Sequence, residues 1–140
     1  MNIREAVPGD GPEIGDLLAQ LGYPVEDEVL AGRLAQFGKS DGSAVFVYDM
    51  GGLAVGLIVL HLVPQLILGG DVVMISCLVV DEVFRDSGIG SELEGFAVAM
   101  GRRGKAVRIV LHCDAARTDA QRFYRRRGYS EMRKYLVKIL

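Results

Sequence analysis

Apolar residues recur along the chain at two spacings, and the switches between them lay out the elements. Ile3 to Ala6 reads as a short strand, broken by Pro8, Gly9 and Asp10. From Pro12, the residues Ile14, Leu17, Leu18 and Leu21 follow the i, i+3, i+4, i+7 stripe of an amphipathic helix, and Gly22 and Pro24 stop it. Leu30, Leu34 and Phe37 share one face of a second helix, from about Glu26 to Phe37, with acids in the first turn where the helix dipole favours them. Ser43 to Tyr48 reads as a strand, Gly51-Gly52 as a hairpin turn, and Leu53 to Leu62 as a strand buried on both faces. After a looser segment around Pro64 and Gly69-Gly70 comes another strand, Val72 to Val80. Ile89, Leu93, Phe96, Ala97 and Met100 line one face of a helix from Gly88 to Arg103. Ala106 to Cys113 is predicted as a strand, Thr118 to Arg127 as a helix stopped by Gly128, and Tyr129 to Leu140 as a final strand. The order β-α-α-β-β-β-α-β-α-β predicts a mixed α/β domain with a central sheet, and residues 1–140 as one domain.

Composition narrows the class. Half of the 140 residues are apolar, too many for an intrinsically disordered chain. The longest apolar stretch, Leu53 to Leu68, is interrupted by Gly56, His61, Pro64 and Gln65, and falls short of the ~20 residues of a membrane span. Met1 to Asp10 has charge but no apolar signal-peptide core. Cys77 and Cys113 form neither a disulfide framework nor a metal pair and are expected as reduced core thiols. These features point to a cytoplasmic protein without membrane partner or metal.

The formal net charge is −2, which argues against electrostatic nucleic-acid binding. Its distribution is uneven. Residues 1–100 hold four basic and fifteen acidic side chains; residues 101–140 hold twelve basic and three acidic ones. Either one face suits a polyanion and another a cation, or folding interleaves the two halves and cancels the asymmetry.

The candidate chemistry concentrates at Arg85-Asp86-Ser87-Gly88-Ile89-Gly90, after a buried strand and at the opening of an amphipathic helix. Unpaired amides at a helix N-terminus attract anions, and glycines at 88 and 90 remove the Cβ atoms that would hold a phosphate away. Arg85 can add a charge-assisted bond. No Lys-Ser/Thr pair follows, so the loop is not a Walker P-loop. A dinucleotide fingerprint needs a third glycine and a tight turn; position 93 is Leu and the connection from Asp81 is long, although Asp114 lies about where a ribose-binding acid would. The third reading is R-x-x-G-x-G, a coenzyme A pyrophosphate loop.

The segment Val80 to Gly90 resembles motif A of the Gcn5-related N-acetyltransferases (GNAT). Ala120-Gln121-Arg122-Phe123-Tyr124-Arg125-Arg126-Arg127-Gly128-Tyr129 is similar to that family's A-x-x-F-Y-x-x-x-G-[FY] segment. Two departures stand out: Glu82 replaces a frequent Pro, and Arg117 a frequent Asn. The resemblance implies a mostly antiparallel sheet splayed between strands 72–80 and 106–113, flanked by about four helices. It implies acetyl-CoA as acetyl donor, held by the backbone of Leu78, Val79 and Val80 against the pantetheine amides and by Arg85, Asp86, Ser87, Gly88, Ile89, Gly90 and Ser91 at the pyrophosphate. Arg117, Ala120, Phe123 and Arg126 join the same cofactor set. The basic run Arg125 to Arg127 either meets the adenosine phosphate or simply favours the helix dipole.

Tyr124 is the candidate catalytic acid, because amine acetylation expels a thiolate that a neutral phenol can protonate. The base is open: the strand before the loop, Met74 to Cys77, carries no carboxylate, and His61, His112, Asp71, Ser76 or water remain. The implied activity is N-acetylation of a primary amine on a small molecule or peptide. The acceptor site would be walled by Leu21 to Glu28, and a homodimer is compatible with such a domain. The rival class is a coenzyme A-binding sensor or partner module without catalysis.

Overall fold

Among the described residues, five strands form one sheet in chain order: β1 (Ile3–Glu5), β2 (Ser43–Met50), β3 (Leu53–Val63), β4 (Val72–Val80) and β5 (Arg108–Leu111). Four α-helices accompany them among the described residues: α1 (Gly11–Leu21), α2 (Asp27–Gly38), α3 (Ile89–Arg103) and α4 (Thr118–Arg126). This computed structural model describes residues 2–113 and 117–140. Residues up to Val110 form one compact unit, and Leu111–Leu140 a second.

The β2–β3 hairpin closes through Gly51 and Gly52, at φ 63° and 94°, left-handed backbone that glycine adopts without a Cβ clash. β1 to β4 pair antiparallel. β3 is buried on both faces, as its largely apolar sequence predicts: Leu57 and Ile58 are 1% and 0% exposed. On one side Ile14, Leu17 and Leu30 of α1 and α2 pack with Val45, Val47, Leu57 and Val79. For α3, Gly56 is the close-approach point. A Cβ there would stand 3.1 Å from Leu93, 3.2 Å from Ile89 and 3.2 Å from the Tyr48 Cβ.

Arg4 on β1 ties the helix entry to the sheet. Its Nη1 and Nη2 donate to both Asp10 oxygens at 2.8 Å, and its Nε donates to Asp49 Oδ2 on β2 at 2.8 Å. The Val7 amide also donates to Asp10, at 2.8 Å. The Arg4 guanidinium holds the Asp10 and Asp49 carboxyls below the usual carboxylate range, and its own pKa is raised in return.

Two sequence expectations are corrected. β5 covers Arg108–Leu111, so Ala106, Val107, His112 and Cys113 stand outside it. The expected final strand is not formed: residues 129–140 carry no strand. Tyr135, Val137 and Ile139 alternate as a strand would, but a strand exists only when a neighbour takes its backbone hydrogen bonds. Among the described residues of the second unit no ladder is offered to them.

β4 and β5 meet at their beginnings, where the Val107 amide donates to the Asp71 carbonyl at 2.8 Å. Four residues of β5 stand against nine of β4. Among the described residues, β5 is therefore too short to follow the C-terminal half of β4. The sheet is mostly antiparallel, as the family resemblance implies.

Candidate active site

The loop after β4 is pinned before it reaches the glycines. The Asp81 amide donates to the Val55 carbonyl at 2.8 Å, and the Asp81 side chain accepts from the Val83 amide at 2.9 Å. Gln20 of α1 closes a second clamp: its Nε2 donates to Asp81 at 3.3 Å and its Oε1 accepts from the Glu82 amide at 2.9 Å. Glu82, at the position where a Pro is frequent, thus uses an amide that proline lacks.

Beyond this root, the exposed Arg85 folds back, its Nε donating to the Val80 carbonyl at 3.3 Å. The Ser87 hydroxyl donates to the Phe84 carbonyl. Asp86 and Gly88 both take left-handed backbone, at φ 62° and 87°. Gly88 caps α3 without a side-chain bond, and beyond its chain neighbours nothing lies within 4 Å of the position its Cβ would take. The helical bond at the cap runs from the Glu92 amide to the Gly88 carbonyl, at 3.0 Å. The amides of Ile89, Gly90 and Ser91 precede it and lie in the turn where helix geometry supplies no partner. Ile89 itself is 2% exposed: its side chain anchors the helix, and only its amide can serve a ligand. The Glu92 carboxylate accepts from the Tyr48 hydroxyl at 2.8 Å. A turn of helix N-terminal amides that follows an arginine fits a pyrophosphate.

Leu78, Val79 and Val80 lie on β4 opposite Ile58, Leu57 and Gly56. With Arg85 to Ser91 they form one continuous stretch in the first unit. The remaining candidates lie in the second unit. Arg117 is the exposed N-cap of α4, without a side-chain cap bond. Ala120, Phe123 and Tyr124 are half-buried, and Arg126 is exposed. The Tyr124 ring stands edge-on to Phe123 and Tyr129, centroids 5.1 and 5.4 Å away, and the Tyr129 amide donates to its carbonyl at 3.0 Å.

The base candidates separate. His112 lies against Tyr135, ring centroids 4.0 Å apart. Asp71 gives its carbonyl to Val107. Asp114 lies outside the described residues. His61 and Ser76, by contrast, come together: His61 Nε2 is 2.7 Å from Ser76 Oγ, and His61 Nδ1 is 2.8 Å from Ser43 Oγ. Burial pushes the His61 pKa below the usual histidine value. Ser43 is not among the candidates that the sequence suggests; only strand register, Ser43 opposite His61, reveals it. Among the described residues, no cluster of metal-ligating side chains is present and no helix is long and apolar enough to cross a membrane.

The family model described as "Acetyltransferase (GNAT) family" matches residues 14–129. Comparison with curated proteins finds no match. Among solved structures, a transcriptional regulator from Bacillus halodurans C-125 is similar at TM-score 0.90 and 26% identity, covering 99% of this chain and 98% of its own. Glucosamine-6-phosphate N-acetyltransferase from Arabidopsis thaliana is similar at TM-score 0.81 and 20% identity, covering 98% and 96%. An aminoglycoside N-acetyltransferase in complex with CoA is similar at TM-score 0.85 and 18% identity, covering 99% and 93%.

Proposed function

We propose that this chain, which belongs to the GNAT acetyltransferase family, moves an acetyl group from acetyl-CoA to a primary amine of a small molecule or peptide by direct transfer. The family's donor supplies an acetyl thioester, an acyl group already activated toward amines. The observation that carries the reading is the open turn at Gly88, whose would-be Cβ position is empty to 4 Å at the head of α3. The amides of Gly88 to Ser91 and the Arg85 guanidinium would bind the pyrophosphate, and the backbone edge of Leu78 to Val80 would pair with the pantetheine amides as an added strand. Arg117, Ala120, Phe123 and Arg126 would complete the cofactor contacts, and Tyr124 would give its phenolic proton to the departing sulfur. The α1–α2 connection, where Tyr23 is 65% exposed, would wall the acceptor. The fifteen acids of residues 1–100 favour a cationic one.

Gly88→Val should weaken acetyl-CoA binding at least about tenfold, because a branched Cβ enters the space a phosphate needs. Calorimetry on the folded variant measures it; wild-type affinity would refute the cradle. A coenzyme A-binding module without catalysis is the second reading, favoured by the absence of a carboxylate on β4 and by the regulator among the similar structures. Thiol release with polyamines, amino-acid amides, amino sugars and lysine peptides separates the two: a module binds the donor but turns none of them over.

A further inference from the structure

We propose that Ser76, His61 and Ser43 form a proton relay that takes the proton from the acceptor amine, with Ser76 as the group that meets the nitrogen. The inference rests on the acetyltransferase reading and supplies the base that reading leaves open.

The geometry is set by a break in strand register. Along β3 and β4, Val59 stands opposite Cys77, but the next residue, Leu60, stands opposite Ile75. Ser76 is therefore the extra residue of a β-bulge, without a partner on β3. A bulge turns a side chain out of strict alternation. Cys77 and Val59 pack toward the α1–α2 side, and by alternation His61 falls on the Val59 face. The bulge brings Ser76 within 2.7 Å of the His61 ring, although regular alternation from Cys77 would aim it at the opposite face. Ser76 remains exposed while His61 is half-buried, its ring tilted against Phe37 of α2 at 5.9 Å. A hydroxyl at the surface, an imidazole beneath it and a second hydroxyl behind it form a chain that spans three strands.

The position suits the reaction. The cradle lies just past the end of β4, and a donor arm paired along Val80 to Leu78 runs toward Ser76. In the tautomer with the proton on Nδ1, His61 donates to Ser43 Oγ and accepts from the Ser76 hydroxyl at Nε2. As the amine nitrogen bonds to the acetyl carbon and the C–S bond breaks, the nitrogen's proton passes to Ser76 Oγ. The Ser76 hydroxyl proton passes to His61 Nε2, and the ring becomes an imidazolium still held by Ser43. The sulfur takes its proton from the acid, Tyr124 in the proposed reaction, and exchange with water restores both groups. Ser43 is a positioning residue: it fixes the ring and the tautomer.

The elements packed on His61 are β2, β4 and α2. Their ionisable groups, with the adjoining loops, are Tyr23, Glu26, Asp27, Glu28, Arg33, Lys39, Asp41, Tyr48, Asp49, Asp71, Cys77 and Asp81. None contributes to the lowered His61 pKa, which burial alone brings about. A neutral ring at pH 7 is the form that accepts a proton.

The protein has two histidines, so proton NMR can follow each, with His112→Gln assigning the signals. The His61 signal should titrate below the usual value near ~6.5 and shift when CoA is added. The kcat of the wild type should fall as pH drops through that same midpoint. His61→Gln and Ser76→Ala should each lower kcat about 10²-fold with acetyl-CoA affinity kept, and His61→Gln should abolish the acid limb. Ser43→Ala should move the limb with a smaller loss. Failure of the wild type to turn over any panel amine would overturn the acetyltransferase reading and the relay with it. Turnover with the limb intact in His61→Gln, or a His61 signal indifferent to CoA, would overturn the relay alone.

Discussion

Tyr124 shows what a single side chain can be asked to do. Tyr124→Phe keeps the ring and its edge-on packing between Phe123 and Tyr129, so the variant should fold and bind acetyl-CoA normally. In the proposed reaction it loses the proton donor to the departing sulfur. We expect kcat and kcat/KM to fall together, by about 10²-fold, the low end for general acids because a thiolate leaves fairly well unaided. An unchanged kcat, with chemistry rate-limiting, would make Tyr124 a packing residue. Candidates of this kind can be named from the sequence because they rest on residue type and local spacing: Arg85, Gly88 and Tyr124 sit within short motifs. Ser43 is not legible, because nothing near it in sequence marks it. It reaches His61 from 18 residues away, through the pairing of two strands.

At the scale of elements, periodicity locates α1, α2, α3 and the four antiparallel strands. It errs where a neighbour decides. The bulge at Ser76 adds one residue to one strand and leaves the apolar pattern almost untouched. The chain after α4 has strand-like alternation, yet no ladder takes it up among the described residues of its unit. The Arg4–Asp10–Asp49 cluster is likewise a product of assembly, joining β1, the turn before α1 and β2. Arg4→Met should leave the Asp10 carboxylate, 8% exposed, without its cation. Because the Arg4 side chain is 35% exposed, solvent screening limits the loss, and we expect about 1–3 kcal/mol by chemical denaturation. The pH dependence follows from the sign of the shift. The folded carboxyl of Asp10 ionises below its unfolded value of about 3.9, so its stabilisation is complete above that value. It is lost as pH falls through the lower, folded value. Thermal melts from pH 7 to 3 should therefore show a steeper acid loss in the wild type than in Asp10→Asn; parallel curves would remove Asp10 from the account.

Across the whole molecule, the family model reaches from residue 14 to 129. The acidic and basic halves of the sequence correspond largely to the two compact units. The thiols bear on the reaction's order. Cys77 and Cys113 are half-buried, not core as the sequence suggests, and Cys77 packs against the α1–α2 core. Direct transfer needs donor and amine bound together, so initial-rate lines at varied acetyl-CoA and fixed amine should intersect. A covalent route would release CoA before the amine enters, giving parallel lines and an acetylated enzyme. Mass spectrometry after incubation with acetyl-CoA alone should thus find no acetyl group on Cys77 or Cys113. An acetyl on either, formed at a rate matching kcat and removed by amine, would replace direct transfer with a two-step exchange and leave the relay at Ser76 to serve the second step.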